Sequence, residues 1–302
     1  MKSEETENNP GSGKAMQGKV VVITGGASGM GRIAARELAA MGAVIVFNDR
    51  EIEEGHEVCE ILKSQTGNDN IEFVPCDMID RAQVRAFADH VLSKYSRLDV
   101  LINNAGFTDP ERILSSEGIE QHMAVMHVNH WLLTELLADR LRAGDGARVL
   151  QITSEAHKAG PGIDFDDMAC DKVWKGKRYA NTGAFKAYHR AKLAMVYAMQ
   201  ELAERFAGSG VTVNCISPGY FVGTNVFRHC RGFIKFGVKI VRPLFADPEK
   251  SAQTYVYLAS SPEVEGITGK YWEYCKQKET SPLSHDEVLR KRLVEWTERQ
   301  LA

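Results

Sequence analysis

The run Lys19-Val-Val-Val-Ile-Thr-Gly-Gly-Ala-Ser-Gly-Met-Gly31 decides how the chain is read. The β-branched residues Val20 to Ile23 predict a strand buried on both faces, because a strand with one wet face alternates instead. The glycines after it lead straight into a helix predicted from Met30 to Met41. A glycine-rich turn between a buried strand and a helix gathers free backbone N–H groups at the positive end of the helix dipole. Such a turn is an anion site suited to a pyrophosphate, here offered by Gly25, Ser28, Gly29, Met30 and Gly31. The spacing Gly25-x3-Gly29-x-Gly31 also suits a tight turn that binds nothing, and the next strand decides between the two. Ala43 to Asn48 is apolar and ends on Asp49, the distance at which an acid meets an adenosine ribose. Asp49 favours NAD, because it accepts from both ribose hydroxyls and repels a 2′-phosphate. Arg50 and Arg32 keep NADP as the alternative.

Further along, strands and helices keep alternating. Helices are predicted over Glu51 to Gln65, Arg81 to Tyr95 and Glu117 to Arg142, then Phe185 to Phe206, after Pro248, and Asp286 to Arg299. Strands are predicted at Ile71 to Pro75, Leu98 to Asn103, Arg148 to Thr153, Val211 to Ser217 and Gly269 to Glu273. This pattern predicts a single α/β domain built on a doubly wound parallel sheet of the Rossmann type, from residue 18 to 302. Residues 1–17 are polar and read as a disordered tail. Ligands of such sheets bind at the carboxyl ends of the strands, where Asp49, Asp77, Asn104, Ser154 and Pro218 all fall.

Composition narrows the class. The 302 residues are 44% hydrophobic and 25% charged, ordinary for a globular protein. A net charge of −3 argues against nucleic acid as the main partner. The six cysteines lie far apart, as free thiols of a reducing compartment do. No run of 18 or more apolar residues appears and the N-terminus carries no signal or import pattern, so a cytoplasmic protein without a transmembrane span is expected. His127 and His130 flank Asn129 without a third ligand at a useful spacing, so no metal site is expected.

The chemistry is expected at Tyr188-His-Arg-Ala-Lys192. Four residues apart on a helix, Tyr188 and Lys192 share one face, and an ammonium beside a phenol favours the phenolate. That makes Tyr188 a candidate general acid/base. Taken in order, Thr24-Gly-x3-Gly-x-Gly31, Asn103-Asn-Ala-Gly106, Asn129, Ser154, Tyr188-x3-Lys192 and Pro218-Gly219 resemble the short-chain dehydrogenase/reductase family. Ser154-Glu-Ala-His157, Ile163-Asp-Phe-Asp-Asp167 and the C-terminal segment resemble its retinol-dehydrogenase-like branch. The resemblance implies hydride transfer between a nicotinamide and the alcohol or carbonyl group of a bulky hydrophobic substrate. It implies that Tyr188 exchanges the proton and Lys192 lowers the Tyr188 pKa and binds the nicotinamide ribose. Ser154 would hold the substrate oxygen, Asn129 would order a water toward Lys192, and Asp77 and Met78 would meet the adenine.

The resemblance also implies a homodimer or homotetramer through the two long helices and a substrate lid near residues 220–247. Membrane-bound relatives carry an apolar N-terminal anchor, for which this sequence has no counterpart. Residues 158–184, with Phe165 and Trp174, form a long insertion beside the substrate mouth, read either as a surface flap with one aromatic anchor or as a specificity loop. His157 and His189 are candidates for lining the substrate pocket. The alternative from another class is a dinucleotide-binding sensor that keeps the fold without turnover; an intact Asn129, Ser154, Tyr188 and Lys192 set counts against it.

Overall fold

The structure is a computed structural model in which residues 15–160, 162–175, 181–219 and 247–302 are described. Residues 220–246 of the expected lid, with Cys230, lie outside the described residues. An eight-stranded sheet forms the middle layer. Its strands are β1 Val20–Thr24, β2 Val44–Asp49, β3 Ile71–Pro75, β4 Val100–Asn103, β5 Arg148–Ile152, β6 Thr212–Ser217, β7 Tyr271–Glu273 and β8 Lys276–Lys278. The order is β3-β2-β1-β4-β5-β6-β7-β8, parallel except for the last pair. The order reverses between β1 and β4, which opens a crevice at their carboxyl ends.

Consecutive strand residues feed opposite cores, which explains the unbroken apolar runs. Val20 and Val22 join one cluster, and Val21 and Ile23 the other. The second cluster is closed by α1 Gly29–Ala40, α2 Ile52–Thr66 and α9 Pro248–Ser260. The first is closed by α3 Arg81–Lys94, by the segment that runs from α4 Gln121–Met123 through α5 Asn129–Leu136 to α6 Ala138–Arg142, by α8 Asn181–Arg205 and by α10 Glu287–Leu301. A small satellite gathers Trp174 and Cys170 of the insertion, whose short helix α7 is Asp171–Trp174, against Ala184 and Ala187 of α8.

Two expectations are corrected. The packed chain starts before Gly18: Met16 is 4% exposed and its N–H donates to the Met41 carbonyl at 3.1 Å. The helix expected from Glu117 to Arg142 is broken. The Glu120 carboxylate caps α4 by accepting from the N–H groups of His122 and Met123, so the helix cannot begin earlier. A π turn over Ala124–Val128 then separates α4 from α5, and Leu137 breaks the run again before α6. α10 packs along α8, with Leu293 and Thr297 buried, and the Thr297 hydroxyl meets Nε2 of His127 at 2.7 Å. The C-terminal helix thus covers part of α8, one of the two long helices expected to pair with another subunit.

No described helix is long and apolar enough to cross a membrane.

Candidate active site

The crevice between β1 and β4 is lined by Gly25, Ser28, Gly29, Met30, Asp49, Asp77, Met78, Asn104, Tyr188, Lys192 and Pro218, all expected there. At its phosphate end, Gly25 and Gly29 hold φ of 67° and 55°, a left-handed conformation that a side chain would strain. The N-terminus of α1 is prepared for an anion. Ser28 makes no side-chain capping bond and the first turn carries no acid, whereas Asp80, Asp247 and Asp286 cap their own helices. The opposite end of the turn is tied down by Asn104, whose amide donates to the carbonyls of Thr24 and Gly25 at 2.8 and 3.0 Å. Asp49 lies at the carboxyl end of β2, accepting from the N–H of Arg50 at 2.8 Å and from that of Ala27 at 3.3 Å. These groups fit a dinucleotide: the N-terminus of α1, without a side-chain cap, where the phosphates belong, and a carboxylate one strand over where a ribose belongs.

Gly31 does not line the crevice. A Cβ there would lie 2.4 Å from the Gly25 carbonyl oxygen and 2.6 Å from Asn104 Nδ2, so this glycine serves close packing of the turn. Sequence reasoning missed Asn48, Phe107 and Thr153, which do line it. Asn48 is the polar end of an apolar strand and accepts from the Gly25 N–H at 3.0 Å, a signal that was present. Thr153 fixes α8 on the sheet by donating to the Lys192 carbonyl at 2.7 Å.

The reactive end is built by α8 and the strand β5. Tyr188 and Lys192 share a helix face, with Lys192 Nζ 5.4 Å from the Tyr188 ring centroid. Lys192 is 3% exposed and donates to the Ile152 carbonyl at 2.6 Å. Burial pushes its pKa down to about 7. Burial likewise raises the Tyr188 phenol to about 12, offset in part by a hydrogen bond with Ser154. The expectation that Lys192 alone favours the phenolate is therefore corrected: the ammonium turns to Ile152 and desolvation outweighs it. Ser154 caps the 3-10 turn Glu155–Lys158, its Oγ accepting from the Ala156 N–H at 3.2 Å.

Asn129 is not brought to this group. It is 2% exposed, and its amide donates to the Met78 carbonyl at 2.7 Å behind the crevice. The side chain one helical turn earlier faces the site instead: a Cβ on Gly106 would lie 3.2 Å from Met126 Sδ and 3.4 Å from Lys192 Nζ. His157 lies outside this crevice and, with His189, borders a separate small cleft. It is 2% exposed, its ring joins the Ser154 carbonyl at 2.7 Å and accepts from the Ser281 N–H at 3.1 Å. His189 is half-buried against Gly160, also away from the crevice lining. His127 and His130 are held neutral by burial, with pKa values of about 3. His130 Nε2 meets the Thr24 hydroxyl at 2.9 Å, and Thr24 Oγ1 in turn accepts from the N–H groups of Asn104 and Ala105. Both histidines are parts of the scaffold.

A parallel sheet with a glycine turn at its switch point and a Tyr-Lys pair on the helix after β5 defines a nicotinamide-dependent oxidoreductase, and the chain belongs to the short-chain dehydrogenase/reductase family. The profile of the family described as short chain dehydrogenase matches residues 19–163, and that described as enoyl-(acyl carrier protein) reductase matches residues 175–273. Within the family the chain is retinol-dehydrogenase-like. It is 36% identical to human retinol dehydrogenase 13 over 287 residues, covering 93% of this chain and 83% of that protein. It is 34% identical to human retinol dehydrogenase 14, covering 94% and 86%. Among solved structures, a protein from Mycobacterium paratuberculosis superposes with a TM-score of 0.72 at 26% identity, covering 95% of this chain and 96% of that one. A short chain dehydrogenase from Shigella flexneri complexed with NADP shares the fold, with a TM-score of 0.64 at 20% identity and coverage of 87% and 100%.

Proposed function

We propose that the chain interconverts an alcohol and its carbonyl on a bulky hydrophobic substrate, with NAD as the preferred cofactor and Tyr188 as general acid/base. The observation that carries this reading is one crevice with Tyr188, bonded to Ser154, and Lys192 at one end and Asp49 at the other. A bound nicotinamide supplies the hydride acceptor or donor and, when oxidised, a positive charge in the crevice. The protein's own residues do the rest. Ser154 orients the Tyr188 hydroxyl, Tyr188 passes a proton to or from the substrate oxygen, and Lys192, titrating near neutrality, restores it. Phe107 and Val125 supply apolar wall beside them, which suits a hydrophobic substrate.

Asp49 sets the cofactor choice. A 2′-phosphate beside this carboxylate is repelled, so NAD is expected to bind at least about tenfold more tightly than NADP, about 1.4 kcal/mol. Titration of each dinucleotide against intrinsic fluorescence measures this, and tighter NADP binding contradicts the role given to Asp49.

The packing of α10 on α8 favours a working monomer over the homodimer or homotetramer that the family resemblance implies. Sedimentation velocity at micromolar concentration is expected to show one species near 33.5 kDa. A dimer under those conditions overturns this part of the reading.

A further inference from the structure

Glu120 and His122 are both fully buried, and they stand beside the reactive end of the crevice without belonging to it. Glu120 accepts from the His122 and Met123 N–H groups at 3.0 and 3.4 Å, and its other oxygen meets His122 Nδ1 at 2.6 Å. On the far side of the ring, Nε2 faces the backbone N–H of Asp109 at 3.3 Å. An ionised carboxylate only accepts and a backbone N–H only donates. The imidazole between them therefore fits as one tautomer, with the proton on Nδ1 and the lone pair on Nε2.

What this ring touches gives the tautomer its consequence. Its centroid lies 5.2 Å from Phe107, 6.2 Å from Trp174 and 6.5 Å from Tyr188, the last edge-on. Phe107 lines the crevice, and Asp109 follows it by two residues. Trp174 is 1% exposed and donates from its indole to the Pro110 carbonyl at 3.2 Å, so the insertion is fastened to the same short segment. The imidazole is thus the joint between the crevice wall at 107–110, the insertion and the Tyr188 ring.

We propose that Glu120 and His122 form a positioning pair for the reaction: Glu120 fixes the Nδ1–H tautomer, and His122 holds the 107–110 wall and the Tyr188 ring in register for a bulky substrate. This rests on the reading of Tyr188 given above. The chemistry acts through orientation, and neither residue exchanges a proton with substrate.

Glu120→Gln tests it, because the amide keeps an oxygen for the helix cap while its nitrogen can donate to Nδ1. The ring then moves its proton to Nε2, which opposes the Asp109 N–H and pushes the wall away. The expected result is a fall in kcat/KM for a hydrophobic alcohol of about ten- to a hundredfold, carried partly by a higher KM for the alcohol, with dinucleotide affinity unchanged. Nitrogen-15 spectra of the imidazole are expected to show Nδ1–H in the wild type and Nε2–H in Glu120→Gln. Should that variant not fold, His122→Asn, which keeps a donor toward Glu120 and loses the acceptor for Asp109, is expected to show the same kinetic loss. Unchanged kinetics in either folded variant, or an Nε2–H ring in the wild type, overturns the proposal. Tyr188→Phe separates the two readings: an active Tyr188→Phe enzyme defeats the role of Tyr188, whereas the tautomer measurement stands apart from it.

Discussion

Tyr188→Phe is expected to lower kcat about a thousandfold while leaving dinucleotide affinity within about twofold of wild type. The ring keeps its place on α8 and its edge contact with His122, so the crevice keeps its shape. What the substitution removes is the one hydroxyl paired with Ser154 at the mouth of the site. Because that hydroxyl titrates high, near 12, it is protonated at neutral pH in the protein's own field. Carbonyl reduction can draw on that proton directly. Alcohol oxidation requires its removal, and so gains as pH rises. Steady-state kinetics for the two directions across pH 6 to 9, with dinucleotide binding measured separately, check this result.

The second large effect has opposite signs for activity and stability. Lys192→Met is expected to abolish most turnover and to raise stability at pH 6.5 by about 1 to 4 kcal/mol. Lys192 is a buried cation whose folded pKa, about 7, lies below its ordinary value of 10.5. Between those values the unfolded chain holds a proton that the folded chain has released, so wild-type stability rises with pH across that window. The advantage of the variant is therefore largest at and below pH 7 and shrinks toward pH 10. Above pH 10 the raised Tyr188 phenol acts in the other direction, so the comparison belongs below it. Urea unfolding of both proteins at pH 6.5 and 9.5 checks it; an advantage that grows with pH contradicts the buried-cation account.

Much of this architecture was legible because it rests on short-range periodicity. The apolar run ending at Thr24 and the acid closing the next strand specify a buried parallel pair and its ligand end. Tyr188 and Lys192 were legible as one helix face for the same reason. The direction of their pKa shifts was not, because desolvation depends on the Ile152 carbonyl and on packing from distant parts of the chain. Asn129 shows a different failure. The π turn at Ala124–Val128 changes the phase of the helix, so a residue that an even α-helix aims at the site turns to Met78, and Met126 faces Lys192. The bond of the His157 ring with the Ser281 backbone, 124 residues away, has no local signal in the sequence. The hairpin of β7 and β8 escaped notice because its turn uses Tyr274 and Cys275 at positive φ where glycine or asparagine is the usual signal.

The central claim is that this crevice carries out nicotinamide-dependent alcohol/carbonyl chemistry through Tyr188. Its most direct test follows the absorbance of the reduced nicotinamide while wild-type and Tyr188→Phe proteins are offered, side by side, hydrophobic alcohols with NAD and the matching carbonyls with NADH. Turnover by the wild type that Tyr188→Phe loses is the expected result. Equal turnover by the two proteins, or none by the wild type with NAD or NADP while it binds dinucleotide, contradicts the claim.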